Sequence, residues 1–405
     1  MKRSGWIFGL FLLSALAGCG TRAAPAADGA PPDLALRDRG AALDMPIAQD
    51  GAAPADAGGA CTGLTQIGQL TLEYADTMKT TPALAFDGDR FAVAWHSQLS
   101  VISSMNGELR FALVDRTAKA STPDGVKLAG DNGIVAPSLV AAASEYALVH
   151  LPITSVGVVL RRVDSAGKTL GTVPINGQVS LAALSPHPSG YAVLTAPQAG
   201  VPKVDVLDKS GAIFSTTPFI TAQVMASLWL AQRPAGYVAA LYSTNKNVAF
   251  HLLDGQMTEV GIASGGGMIY APSFAALPGG LAELYLGAGA VEVKVFDSAG
   301  SSVGKQSLGG AAISSVADPR DVTALAWTGQ RLVAGYPSAV PGQFLLRVLD
   351  ETGQPLGSEM KLSGCLATSS SIRMVWGRDV LAVATLDHTS GLPDSGICVT
   401  LLRCQ

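Results

Sequence analysis

Ala83-Leu84-Ala85-Phe86, Asp87-Gly88-Asp89 and Phe91-Ala92-Val93-Ala94-Trp95 follow one another near the start of the apolar part of this chain, and their reading decides the fold. A short apolar run, a turn of Asp and Gly, and a longer apolar run make two strands of a hairpin. The same pattern returns in Ser138-Leu139-Val140 with Tyr146-Ala147-Leu148-Val149, and in Leu181-Ala182-Ala183-Leu184 with Tyr191-Ala192-Val193-Leu194. It continues in Ser227-Leu228-Trp229-Leu230 with Tyr237-Val238-Ala239-Ala240, and in Ser273-Phe274-Ala275 with Leu281-Ala282-Glu283-Leu284. The last two copies are Ala324-Leu325-Ala326-Trp327 with Leu332-Val333-Ala334, and Ile372-Arg373-Met374-Val375 with Leu381-Ala382-Val383-Ala384. Seven units result, spaced about 43 to 54 residues apart.

Most units go on to a third strand that ends in an apolar-Asp step: Val163-Asp164, Leu207-Asp208, Leu253-Asp254, Phe296-Asp297 and Leu349-Asp350. In four of them a glycine follows three residues later, at Gly167, Gly211, Gly300 and Gly353. Asp accepts backbone N–H groups at the start of a tight turn and Gly tolerates positive φ at its end, so a fourth strand follows. Leu170-Gly171, Val303-Gly304 and Leu356-Gly357 mark it. Four antiparallel strands recurring at this period predict an all-β, seven-bladed β-propeller. The second strands are apolar at nearly every position because each lies between two neighbouring blades.

The seventh unit reaches Arg403 where others have Asp, and no fourth strand follows Ile397–Leu402. Thr65-Gln66-Ile67-Gly68-Gln69-Leu70-Thr71-Leu72 carries the missing mark in Ile67-Gly68, so the N-terminal strand is expected to complete the last blade and leave no open edge. Cys61 precedes that strand and Cys404 follows its partner. A Cys61–Cys404 disulfide is expected to lock the ring, worth roughly 4 to 5 kcal/mol for so long a loop. Cys365 and Cys398 are then left to pair with each other. Zinc is the competing reading of four thiols, but no CxxC or Cys-His spacing supports it. The propeller is expected to span residues 61–405.

The N-terminus reads differently. Lys2 and Arg3, the apolar run Trp6 to Ala17, and Leu16-Ala17-Gly18-Cys19 make a secretory signal whose cut falls before a cysteine. This arrangement resembles the lipobox of bacterial lipoproteins. The resemblance implies that residues 1–18 are removed, that the Cys19 sulfur takes a diacylglyceryl group, and that lipid attaches the protein to the cell envelope. Gly20 after Cys19 resembles the outer-membrane sorting signal of some bacteria. The apolar run, about twelve residues, is too short to cross a ~30 Å hydrocarbon core. Residues 20 to 60 are mostly Ala, Gly, Pro and Asp, with Asp28, Asp33, Asp38, Asp44, Asp50 and Asp56 spaced along them. So little apolar bulk predicts a flexible tether from residue 19 to 60, with an r.m.s. span near ~35 Å.

Of 405 residues, 48% are apolar and 14% charged, so a large core is possible. Formal net charge is −4, and loss of Lys2 and Arg3 makes it −6, which gives no electrostatic footprint for nucleic acid. A monomer is expected, with no cofactor and no metal. No Gly-x-Ser-x-Gly elbow is present, and Ser264-Gly265-Gly266-Gly267 lacks the ending of a phosphate-binding loop. The boxes of sialidase propellers, the calcium loops of integrin-type blades and the Trp-Asp ends of WD repeats are absent too. The resemblance is to lipid-anchored envelope propellers as a class.

Propellers bind on the face that carries the loops between second and third strands and between blades. Here those loops include Gln98, Gln198, Asn245, Lys246, Asn247, Tyr270 and the segment Ala317 to Asp321. The ligand-binding candidates are His96, His150, Tyr336, Asp387 and His388. His251 shares a third-strand column with Ala112, Arg161, Asp205, Lys294, Arg347 and Thr400, which reads as a solvated blade face. The functional expectation is a non-catalytic, envelope-anchored module that binds or scaffolds a protein or glycan. The alternative is an envelope polysaccharide hydrolase or lyase using acids and histidines such as Asp318, Asp387 and His388 at the channel mouth, because glycoside cleavage needs paired carboxyl groups.

Overall fold

A computed structural model describes residues 61–75, 78–98, 107–130, 136–142, 144–152, 157–176, 179–197, 200–219, 225–265, 272–287, 290–309, 322–340, 343–362, 365, 368–388 and 395–405. The chain divides into Met1–Pro46 and Ile47–Gln405, and every described residue belongs to the second unit. Cys19, the signal, the tether, Gln198, Tyr270, Gly266-Gly267 and Ala317–Asp321 lie outside the described residues. The described residues form strands and turns without a helix, and none of them forms a helix long and apolar enough to cross a membrane.

The first strand, β1 (Leu64–Ala75), belongs to the last blade. Blade 1 holds β2 (Met78–Lys79), β3 (Ala83–Phe86), β4 (Phe91–Gln98), β5 (Gly107–Val114) and β6 (Val126–Ala129). Blade 2 is β7 (Ser138–Ala142), β8 (Glu145–His150), β9 (Gly157–Asp164) and β10 (Thr169–Asn176). Blade 3 is β11 (Val179–His187), β12 (Gly190–Pro197), β13 (Lys203–Asp208) and β14 (Ile213–Pro218). Blade 4 is β15 (Met225–Arg233), β16 (Gly236–Ser243), β17 (Val248–Leu253) and β18 (Glu259–Ser264). Blade 5 is β19 (Ser273–Leu277), β20 (Gly280–Leu286), β21 (Val291–Asp297) and β22 (Ser302–Gly309). Blade 6 is β23 (Ala324–Trp327), β24 (Leu332–Pro337), β25 (Phe344–Leu349) and β26 (Pro355–Leu362). Blade 7 is β27 (Thr368–Gly377), β28 (Val380–His388) and β29 (Ser395–Cys404), completed by β1.

The first strands meet around a ring: β3 touches β7, then β11, β15, β19, β23 and β27 follow in turn, and β27 touches β3. This is the seven-bladed β-propeller that the repeats predict. Its core is seven buried apolar clusters, one in each seam between consecutive blades. Strand β4 shows why the second strands are apolar throughout. Phe91, Val93 and Trp95 pack into the seam with blade 7, whereas Ala92 and Ala94 pack into the seam with blade 2. Alternate side chains point to opposite faces, and here both faces are covered.

Closure follows the predicted route. β1 runs antiparallel to β29, with Leu64 opposite Cys404, Thr71 opposite Cys398 and Leu72 opposite Ile397. Cys61 and Cys404 are disulfide-bonded across a sequence separation of 343, and Cys365 is bonded to Cys398 across 33. Arg403, which stands in place of the Asp, pairs with Asp379 at 3.2 Å, and Asp379 also holds Arg116 of blade 1.

The apolar-Asp step builds one turn six times. Asp115, Asp164, Asp208, Asp254, Asp297 and Asp350 each accept the backbone N–H groups two and four residues ahead through Oδ1, at 2.8 to 3.0 Å. The residue three ahead has positive φ in all six. Glycine fills it in four blades, but Ala118 (φ 61) and Met257 (φ 62) fill it in blades 1 and 4.

Candidate functional site

The upper face is defined by the second-to-third strand connections. Four of the five ligand-binding candidates, His96, His150, Tyr336 and Asp387, are buried. His96 and His150 are both 0% exposed, in the seam between blades 1 and 2, with ring centroids 5.7 Å apart. His150 presents two buried ring nitrogens without a hydrogen-bond partner among the described residues. Burial, then neighbouring His96 and Arg161, push its pKa down to about 3, so the imidazole is neutral.

Tyr336 is buried in β24 and donates its hydroxyl to Glu359 Oε1 at 2.6 Å, where Arg347 Nη1 also donates at 3.2 Å. Burial and then that carboxylate raise the Tyr336 pKa. Asp387 is 0% exposed and accepts from Thr385 Oγ1 at 2.6 Å. His388 ends β28 opposite Ser395, and its side chain lies outside the described residues.

One ligand set of metal type occurs among the described residues. A carboxylate oxygen of Asp387 and the Sγ atoms of Cys365 and Cys398 lie within 4.8 Å of one another. The two sulfurs are bonded to each other, so this set offers a cation no thiolate unless that bond is reduced.

The third-strand column read as a solvated face is corrected. Asp205, His251 and Thr400 are 0%, 2% and 1% exposed. These residues lie opposite Val193, Ala239 and Val383 in the second strands, so they share the face turned toward the preceding blade. Asp205 accepts from Thr216 at 2.6 Å and pairs with Lys203 Nζ at 2.8 Å. His251 Nδ1 lies 2.6 Å from Glu259, and its ring packs on Phe219 with centroids 4.5 Å apart. These groups join strands and blades.

A related device was not legible in the sequence. Tyr146 donates to Asp87, Tyr191 donates to Glu145, and Tyr237 donates to the Pro186 carbonyl at 3.1 Å. Each is a second-strand tyrosine reaching the preceding blade's first turn. Burial raises the Tyr237 pKa to about 12. Burial alone would raise Asp87 and Glu145, but hydrogen bonds from Tyr146 and backbone N–H groups at Asp87, and from Arg162 and Tyr191 at Glu145, outweigh it and hold both carboxyls low. In the repeat the tyrosines look like ordinary strand residues, because Phe91, Leu281, Leu332 and Leu381 occupy the same register.

An open feature does occur on the upper face, in blade 4. A recess of about 280 Å³ is lined by Met225, Leu241, Ser243, Asn247, Val248, Ala249 and Ser264. Asn247 was read as a binding-face loop residue, and it borders this recess. The turn from Ser243 to Asn247 is tight: Ser243 N–H donates to the Asn247 carbonyl at 2.9 Å, and Lys246 takes φ 65. None of the seven described lining residues is ionisable, and these residues offer hydrogen bonds and apolar contacts.

No protein-family model and no curated protein matches this chain. The functional reading therefore rests on residues and geometry.

Proposed function

We infer that this protein is a non-catalytic binding or scaffold module of the cell envelope. Cys19 carries the lipid, residues 20–60 act as the tether, and the propeller presents its upper face to a protein or glycan from the outer membrane. The observation that carries this reading is the uncharged recess in blade 4. Three of the sequence candidates near this face, His96, His150 and Asp387, are buried in the blades rather than turned to the opening. A site for acid–base cleavage would instead need at least two ionisable groups facing an opening.

The reading has two tests. Mass spectrometry of the mature N-terminus should find a diacylated Cys19, and an unmodified mature end would remove the anchor. Affinity capture of the full-length protein from detergent-solubilised envelope should recover a stoichiometric partner or a bound glycan. Repeated recovery of the protein alone would overturn the binding role.

A further inference from the structure

The blade 4 recess combines two chemistries. Its floor is apolar, formed by buried Met225 and Leu241 with half-buried Ala249. Its rim is polar without charge, with exposed Asn247 and Ser264 beside buried Ser243. Strand pairing explains how they converge. Met225 lies opposite Ser243, Leu241 opposite Ala249, and Ala249 opposite Ser264. Residues directly opposite in an antiparallel ladder share a face, so four strands deliver these side chains to one side of the blade. The Ser243 hydroxyl is committed to the turn, accepting the Asn247 N–H and donating to its carbonyl, each at 3.3 Å. The Asn247 carboxamide and the Ser264 hydroxyl are thereby the recess's groups for an incoming ligand.

We propose that this recess binds the acetamido group and ring of an N-acetylated amino sugar. The proposal rests on the binding reading above and names the ligand class for the same face. Size restricts the occupant: 280 Å³ is the share of roughly nine waters and falls just under the ~300–1,000 Å³ of sites for larger ligands. One sugar residue fits that space. Chemistry restricts it further. A charged group would be desolvated against described lining residues that offer no counter-charge. A purely aliphatic side chain of a protein partner would cover the rim and leave the Asn247 and Ser264 polar groups unmatched. An acetamido group satisfies both zones. Its methyl covers Met225 and Leu241, while its N–H and C=O exchange hydrogen bonds with the Asn247 carboxamide and the Ser264 hydroxyl.

The test titrates a β-1,4-linked trimer of N-acetylglucosamine into the full-length, detergent-solubilised protein by calorimetry, with the matching glucose trimer as comparator. The acetylated trimer should bind at least about tenfold more tightly than the glucose trimer. Ala249→Leu, which fills the floor, and Asn247→Ala, which trims the rim, should each weaken binding by about tenfold or more, with unchanged thermal unfolding showing that both variants fold. Equal affinity for the two trimers overturns the proposal, as does an Ala249→Leu protein that binds as well as the parent. If the trimer does not bind but a stoichiometric protein partner is captured, the ligand class is wrong and the binding role stands. If neither binds, both fall.

Discussion

Met257 occupies a left-handed backbone conformation that four other blades give to glycine, and it does so with a fully buried side chain. A left-handed non-glycine residue costs about 1–2 kcal/mol, and burial of a methionine returns about 1.5–3 kcal/mol. Burial should win. Met257→Gly is expected to lower stability by about 1 kcal/mol in urea titration despite relieving the backbone. Ala118→Gly, at the same turn in blade 1, has only a methyl to lose and should be neutral or stabilising by up to about 1 kcal/mol. The sequence marks this turn wherever Gly follows Asp; Ala118 carries no such mark, and at Met257 packing overrules propensity. His150 gives a second prediction. Its pKa falls from 6.5 in the unfolded chain to about 3 in the fold, so as pH drops below 6.5 the unfolded state takes a proton that the native state refuses. Stability should fall with a slope of up to about 1.4 kcal/mol per pH unit. Between pH 6.5 and about 5.5 the carboxyls of both states stay largely ionised. In that window His150→Thr, the residue found at this register as Thr195 and Thr385, should flatten the melting temperature against pH. An unchanged slope would mean that the seam admits the proton.

Glycines in the fourth strands show how one element fits the next. Gly304 in β22 and Gly68 in β1 each follow a bulged residue, Val303 and Ile67, which has no cross-strand partner. The bulge turns that apolar side chain outward, 58% exposed at Val303, and brings the glycine against the neighbouring blade's Asp turn. A Cβ on Gly304 would come within 2.6 Å of the Thr352 carbonyl oxygen, and one on Gly68 within 2.6 Å of the Ala118 Cβ. The Thr352 oxygen is backbone, so it cannot swing aside. Gly304→Ala should cost about 1–3 kcal/mol by chemical denaturation, and a cost under about 0.5 kcal/mol would show that the two blades separate easily. The apolar-Gly marks were legible as strand signatures because they recur. Their role was not, because a contact between blades has no local pattern. The same blindness explains the third-strand column. Asp205, His251 and Thr400 look like a solvated stripe, since polarity alone does not say whether a blade face meets water or the next blade.

At the scale of the whole molecule the ring and its closure were open to inspection from the repeats, the missing fourth strand of the seventh unit and the placement of Cys61 and Cys404. The two disulfides should differ in worth. Chain entropy makes the bond spanning 343 residues about 2 kcal/mol more stabilising than the one spanning 33. Cys61→Ser with Cys404→Ser should therefore lower the urea midpoint more than Cys365→Ser with Cys398→Ser, and the reverse order would mean that the terminal strand holds the ring without covalent help. The recess was not legible, because Met225, the Ser243–Asn247 turn and Ser264 are separate along the chain and only the ladder assembles them. The position of the Cys61–Cys404 bond has a mechanical consequence. Leu64 and Cys404 sit at the same end of the β1–β29 ladder, so tension arriving through residues before Cys61 passes across a covalent bond into the end of β29. While that bond is intact, the hydrogen bonds of the closing strand cannot be peeled one by one from that end.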